Sequence, residues 1–291
     1  MFSGSHVALI TPMFEDGQVD YPSLKRLLDY QLNNGTDGVI IMGTTGEAAT
    51  IDFAEQLTVL QFVIDHVAGR CQIIAGNGSN STAEAVEKTK ALDKMAIDGF
   101  LTVTPYYNKP TQKGMLAHFS AVAAATDKPV LLYNVPGRTG VDLLPATVAE
   151  LAKISNITGV KEATGSLTRL RDIQALVGAD FALLSGDDAS ACDFLLQGGH
   201  GVISVTTNVA PKAMSAMIRA ARAGDSATAK SVDSTLQPLH RDLFIESNPI
   251  PAKWALLRLG LISSDFARLP LTQLEPIHQS VIEQALQAAQ L

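Results

Sequence analysis

Eight short apolar runs mark the first two-thirds of the chain: HVALI (6–10), GVIIM (38–42), QIIAG (72–76), FLTVT (100–104), PVLLYN (129–134), ITGVK (157–161), FALLS (181–185) and GVISV (201–205). They are continuous rather than alternating, as strands covered on both faces are. Amphipathic helical spacing separates them. In residues 20–35, Pro22 stands at a helix start, Leu24, Leu27, Leu28 and Leu32 recur on one face, and Gly35 closes the segment. Eight strand–helix units in a row predict an α/β chain folded as a closed (β/α)8 TIM barrel, in preference to an open doubly wound sheet. The phosphate fingerprint of an open sheet is only approached by GNGSNS (76–81), which follows the third run and has Ser81 where a glycine belongs. It reads as a turn with a helix N-cap at Ser81 or Thr82.

After Gly224 the strand signal stops. Helical spacing continues through ATAKSVDSTLQPLHRDLF (227–244), IPAKWALLRLGL (250–261) and LTQLEPIHQSVIEQALQAA (271–289), with no Gly/Ser linker in between. The expected organisation is a barrel domain over residues 1–224 and a C-terminal helical extension over 225–291.

A barrel gathers the C-terminal ends of all its strands on one face, where the following loops build the site. Collecting the residues after each run gives GTTGE (43–47), PYYNK (105–109), Tyr133 and Asn134 followed by PGRTG (136–140), Lys161, and Ser185, Gly186, Asp187 and Asp188. The set holds hydroxyls, tyrosines, a lysine and an arginine, but no histidine and no metal-ligand cluster. Lys161 has two readings: an amine nucleophile that forms a Schiff base with a carbonyl substrate, or a lysine paired with Glu162 or Asp187 at a strand end. A lysine of reference pKa about 10.4 is neutral in only about one molecule in 2,500 at pH 7, so the nucleophile reading calls for an apolar barrel mouth. Tyr133, ending the neighbouring strand, is the candidate proton shuttle; the alternative is a core aromatic.

GTTGE offers two glycines, two hydroxyls and backbone N–H groups ahead of a helix, a cradle suited to a carboxylate. Arg138 is either a surface charge or a bidentate clamp for a second carboxylate. Of Tyr106 and Tyr107, one is expected to enter the site and the other a subunit contact. Asp187 and Asp188 read as capping the helix that begins near ASACDFLLQ, and His200 as a turn residue.

Composition narrows the partners. A net charge of −7 without a basic stripe argues against nucleic acid and anionic membranes. No apolar stretch approaches a membrane span, and MFSGSHVALITPM is a poor signal peptide. Cys71 and Cys192 read as buried thiols of a reducing compartment, so the cytoplasm is expected. From the residues alone, the chain reads as a metal-free, lysine-dependent enzyme acting on a small keto acid.

Six blocks in order, GTTGEAAT (43–50), TPYYNKPTQ (104–112), YNVPGRTG (133–140), GVKEATG (159–165), SGDDA (185–189) and ESNPIPAKWAL (246–256), resemble the dihydrodipicolinate synthase (4-hydroxy-tetrahydrodipicolinate synthase) family along essentially the whole chain. The resemblance implies a class I aldolase-type lyase that condenses pyruvate with L-aspartate-4-semialdehyde on the diaminopimelate route to lysine, without a cofactor. By position it implies a Schiff base on Lys161, proton relay by Tyr133, Thr44 and Tyr107, and a reach by Tyr107 into a neighbouring subunit. Thr45 would hold the pyruvate carboxylate and Arg138 that of the semialdehyde, with Gly186 and Ile203 lining the pyruvate pocket through main-chain atoms. It further implies a homotetramer built as a dimer of dimers. The nearest rivals are N-acetylneuraminate lyase or a 2-keto-3-deoxy-sugar-acid aldolase, against which Arg138 speaks. A catalytically silent keto-acid sensor is the rival from another class, and the presence of Lys161 and Tyr133 disfavours it. Ala49, Asn80, Glu84 and Tyr106 fit the family's inhibitory lysine site at a dimer interface. Ala48, Phe53 and Gln56 depart from the serine and two histidines of lysine-sensitive relatives, so weak or absent lysine feedback is expected.

Overall fold

The computed structural model describes residues 2–291. Its strands are β1 (Gly4–Ala8), β2 (Gly38–Ile41), β3 (Gln72–Gly76), β4 (Gly99–Val103), β5 (Val130–Asn134), β6 (Ile157–Glu162), β7 (Ala182–Ser185) and β8 (Gly201–Ser204), all parallel and closed into a barrel in sequence order. Between and after them lie α1 (Tyr21–Asn33), α2 (Phe53–Val67), α3 (Thr82–Leu92), α4 (Gln112–Ala123), the single turn α5 (Pro136–Thr139), α6 (Pro145–Leu151), α7 (Leu167–Gln174), α8 (Ala191–Leu196) and α9 (Pro211–Arg222). Three more helices follow: α10 (Ser226–Asp242), α11 (Ile250–Arg258) and α12 (Pro276–Ala288). No helix among the described residues is long and apolar enough to cross a membrane.

Strand alternation sorts the core into two layers. Ala8, Ile40, Ile74, Leu101, Leu131, Tyr133, Leu184 and Ile203 point inward and fill the barrel with Phe2. Their neighbours, such as Val39, Ile73, Phe100, Leu132, Val160, Leu183 and Val202, point outward under the helices. This is why the runs read as continuously apolar. Parity also decides which polar strand-end residue enters the site. Lys161 pairs with Tyr133 across β5 and β6, while Glu162 pairs with Asn134 one step on and faces the other way. An irregularity at the start of this ladder, where Val130 meets Ile157 but Leu131 meets Gly159, sets that register. Gly159 makes it possible: a Cβ there would lie 2.7 Å from the Ala182 Cβ.

Several boundaries differ from the sequence expectation for local reasons. The first strand runs from Gly4 to Ala8 rather than 6–10, because Ser5 N donates to Asp37 Oδ2 at its start and Ile10 N turns to Asn208 Oδ1 at 3.0 Å after its end. Gln31, not Leu32, completes the buried face of α1, donating to Thr207 O at 2.9 Å. The last helix begins only at Pro276, leaving LTQLE outside it. Proline at the first helical position keeps Glu275 extended. Ser81 is the N-cap of α3, accepting from Glu84 N. Cys192 is buried, whereas Cys71 is only half-buried; burial pushes each thiol up to about 11.

Candidate active site

The mouth of the barrel brings β5 and β6 together around one amine. Lys161 is 6% exposed, and its Nζ sits 4.3 Å from the centroid of the Tyr133 ring. Tyr133 belongs to the apolar plug with Leu131, Leu184 and Ile203, and Lys161 pairs with Leu184 across β6 and β7. Gly186 closes over the lysine stem: a Cβ there would lie 2.7 Å from Lys161 Cε and 3.0 Å from Cγ. No carboxylate among the described residues lies within ion-pair distance of the amine. The paired-lysine alternative therefore fails for both of its partners. Glu162 points outward, where Oε2 accepts from Asn134 Nδ2 at 3.0 Å and Oε1 from Thr164 N at 2.8 Å. Burial raises its pKa against the pull of those bonds. Asp187 accepts from the N and Oγ of Ser190. An amine without a partner is open to a ketone with no ion pair to break first.

A cavity of about 330 Å³ opens beside this pair, lined by Gly43, Thr44, Ala49, Tyr106, Tyr133 and Arg138 among others. Its wall includes the turn after β2. There the N–H groups of Gly46, Glu47 and Ala48 bond back to Gly43 and Thr44 carbonyls, while those of Thr44 and Thr45 find no acceptor among the described residues. Thr45 is buried, and its Oγ1 accepts from Asn248 Nδ2 at 2.9 Å. A threonine hydroxyl whose oxygen is already engaged still has its proton to donate. Two free N–H groups and one free O–H in a short turn are the donor set a carboxylate takes. Arg138, on the single-turn α5, is exposed and touches the Asn248 carbonyl with one guanidinium nitrogen at 3.4 Å, leaving most of its donors free.

The sequence candidates do not all converge. Lys161, Tyr133, Gly186 and Ile203 form one packed group, and Thr44, Arg138, Tyr106 and Ala49 share the cavity with Tyr133. Tyr107 stands apart at 88% exposure, with a left-handed φ of +75°. Asn80 and Glu84 lie off the cavity; Asn80 O accepts from Asn108 Nδ2 and Glu84 Oε2 from Ser79 Oγ, both at 2.8 Å. Of the residues that depart from the inhibitory site, Ala48 and Gln56 line the cavity, with Lys88 alongside. Gln56 has both amide hydrogens committed to the Ala48 and Ile51 carbonyls. Asp187 accepts from Ser190 N at the start of α8, as a cap would, but Asp188 does not cap the helix as expected. The N-cap is Ser190, and Asp188 Oδ2 accepts from Val205 N and Thr206 N, tying the β7 loop to the end of β8. His200 sits at the base of β8 and accepts from Leu183 N.

Three polar residues at this mouth escaped the sequence reading: Glu47, Asn248 and Lys253. One signal was available. Lys253 interrupts the apolar stretch IPAKWALL on the buried face of α11, where an unpaired charge would be costly.

A family model described as the dihydrodipicolinate synthetase family matches residues 1–289. The 4-hydroxy-tetrahydrodipicolinate synthase of Pseudoalteromonas atlantica is 56% identical over 286 residues, covering 98% of each chain. That of Shewanella baltica is 54% identical over 291 residues, covering 100% of this chain and 99% of its own. Among solved structures, a chloride-inhibited dihydrodipicolinate synthase from Acinetobacter baumannii complexed with pyruvate superposes with a TM-score of 0.97 at 47% identity, covering 100% of this chain and 99% of that one.

Proposed function

The chain belongs to the dihydrodipicolinate synthetase family, and on that premise we propose how its residues divide the work of the family reaction. It is a lyase of the class I aldolase group that condenses pyruvate with L-aspartate-4-semialdehyde. Lys161 Nζ attacks the ketone carbon of pyruvate, and loss of water from the carbinolamine leaves an iminium. The iminium draws electrons from the methyl carbon, which gives up a proton and becomes an enamine. That carbon then attacks the aldehyde of the second substrate, whose oxygen takes up a proton to become a hydroxyl. The amine of the semialdehyde finally displaces Lys161 and closes the ring.

Every step after the first moves a proton, and Tyr133, whose ring lies 4.3 Å from the amine, carries the hydroxyl that serves it. Thr44 at the same cavity wall continues the relay. The turn holding Thr45 receives the pyruvate carboxylate, and Arg138 at the cavity rim takes the carboxylate of the semialdehyde, a use that a sugar aldehyde would not have for it. Gly186 and Ile203 shape the pyruvate pocket. Tyr107, exposed on a strained loop, serves a neighbouring subunit's site in a homotetramer. The enzyme works in the cytoplasm, with residues 1–224 as the catalytic barrel and 225–291 as its extension. Ala49 and Tyr106 would still offer a surface to an inhibitory lysine, but Gln56 has no free donor and Phe53 no polar group there, so feedback is weak or absent.

The observation that carries the reading is the buried, carboxylate-free Lys161 against the Tyr133 ring. Borohydride reduction in the presence of pyruvate, followed by intact mass and peptide mapping, tests it. The expected result is a single pyruvate-derived adduct on Lys161. Folded protein that takes up no adduct would remove the aldolase assignment and restore the silent sensor.

A further inference from the structure

The reaction leaves two polar features of the sequence unused: the glutamate that ends GTTGE and the polar residues of ESNPIPAKWAL. In the fold they meet. Glu47 and Lys253 both have fully buried side chains and form an ion pair. Lys253 Nζ also donates to Phe266 O at 2.7 Å, and Glu47 Oε2 accepts from Arg268 N at 3.0 Å. Glu47 itself is held at φ +58°, a left-handed backbone that a glutamate adopts only where its surroundings impose it. One residue earlier, Gly46 O accepts from Thr11 Oγ1 at 2.8 Å. The extension thus reaches into the barrel mouth and grips the cradle turn at its far end.

A second joint acts on the cradle directly. Asn248, buried just ahead of α11, donates through Nδ2 to Thr45 Oγ1 at 2.9 Å. With a lone pair of that hydroxyl occupied, the direction of its own O–H is restricted, and the hydrogen is left for a ligand. Stability is a weak reason for such an arrangement, because well-packed apolar residues often replace a buried ion pair without loss. What the two joints fix is where the backbone N–H groups and the hydroxyl of residues 44 and 45 point.

We propose that Glu47, Lys253 and Asn248 are positioning residues through which the C-terminal extension holds the carboxylate cradle in its pyruvate-binding form. The inference rests on the reading that the cradle receives the pyruvate carboxylate. It makes the extension a determinant of pyruvate affinity, distinct from Arg138 and the semialdehyde side of the cavity.

Two variants separate this from a merely structural role. Glu47→Gln combined with Lys253→Met removes the pair without leaving a lone charge buried. Asn248→Ala cuts the other joint and leaves the backbone carbonyl that Arg138 touches. Each is measured for the KM of both substrates, kcat, melting temperature and borohydride trapping at saturating pyruvate. The expected result is a rise in pyruvate KM of about tenfold or more in each, with kcat and the semialdehyde KM within about twofold, the pattern of lost ground-state binding. An unchanged pyruvate KM in folded variants, or a fall in kcat alone, overturns the proposal. Should the double variant fail to fold, Asn248→Ala decides, since it buries no charge. If wild-type protein traps pyruvate on Lys161 and the variants keep its KM, only this inference falls. If wild-type protein traps nothing, the cradle reading falls with it.

Discussion

Among the described residues two lysines are buried, and the fold treats them in opposite ways. Lys161 is 6% exposed and Lys253 is 0% exposed, so burial alone does not tell them apart. Lys253 is fully engaged, with a carboxylate on one side and the Phe266 carbonyl on the other. Burial holds its pKa below the ordinary lysine value while Glu47 pulls the other way. Lys161 is given an aromatic face, apolar neighbours and a glycine, and no carboxylate. A cation buried without a partner is costly, and a protein that tolerates one has a use for the free group. Partner count, rather than depth, separates the lysine proposed as nucleophile from the structural one.

The largest effects come from truncating each lysine in turn. Lys161→Met should lower kcat by about four orders of magnitude or more, the scale at which loss of a nucleophile is felt, while leaving the unfolding free energy no lower than wild type. Lys253→Met should do the reverse. It leaves Glu47 buried and uncompensated, at a cost of about 3–5 kcal/mol in denaturant unfolding, yet the folded fraction should still trap pyruvate on Lys161 at saturating concentration. Equal losses of stability in the two variants would dissolve the comparison.

That contrast was half legible in the sequence. The eight runs place Lys161 and Tyr133 at the ends of neighbouring strands at a barrel mouth, but the irregularity between Val130 and Leu131 that sets them side by side was not legible. Strand ends show locally in the sequence. What holds Glu47 does not: Lys253 and Arg268 stand more than two hundred residues away, and their meeting depends on how the extension packs back over the barrel. No spacing rule pairs residues so distant. The same limit explains Asp188, whose capping assignment looked only to the following helix, whereas its Oδ2 accepts from Val205 N and Thr206 N just after the next strand. Asn248 was visible only as part of a block of resemblance, without a role, because its partner Thr45 had already been given one.

A smaller effect sharpens the Lys161 side. Gly186 is the contact that lets the lysine stem lie where it does, and an alanine Cβ would press on Cε at 2.7 Å and on the Ala163 Cβ at the same distance. Gly186→Ala should displace the amine by a fraction of an ångström and lower kcat/KM by about a hundredfold, the usual cost of misplacing a catalytic group. Trapping should slow in proportion while circular dichroism stays native. Wild-type kinetics in this variant would mean that the Lys161 position is not set by its near neighbours.

The smallest effect concerns a buried base at the floor of the barrel. His6 is a third buried base, at the opposite end of the strands, with Nε2 3.1 Å from Gln72 Oε1. Burial lowers its pKa, outweighing the upward pull of the Gln72 bond and the Asp37 charge, while Arg222 adds to the lowering. Burial lowers His118 and His200 as well. Below about pH 6.5 the unfolded chain takes up protons that the folded chain refuses, so unfolding free energy falls as pH drops and is flat in this contribution above that value. One such histidine can contribute a slope of at most about 1.4 kcal/mol per pH unit within the window. Urea unfolding at pH 7.5 and 5.5 should show the loss in wild-type protein and a smaller one in His6→Asn. If the variant keeps the whole pH dependence, His6 is not its source, and the comparison of buried bases does not extend to the floor of the barrel.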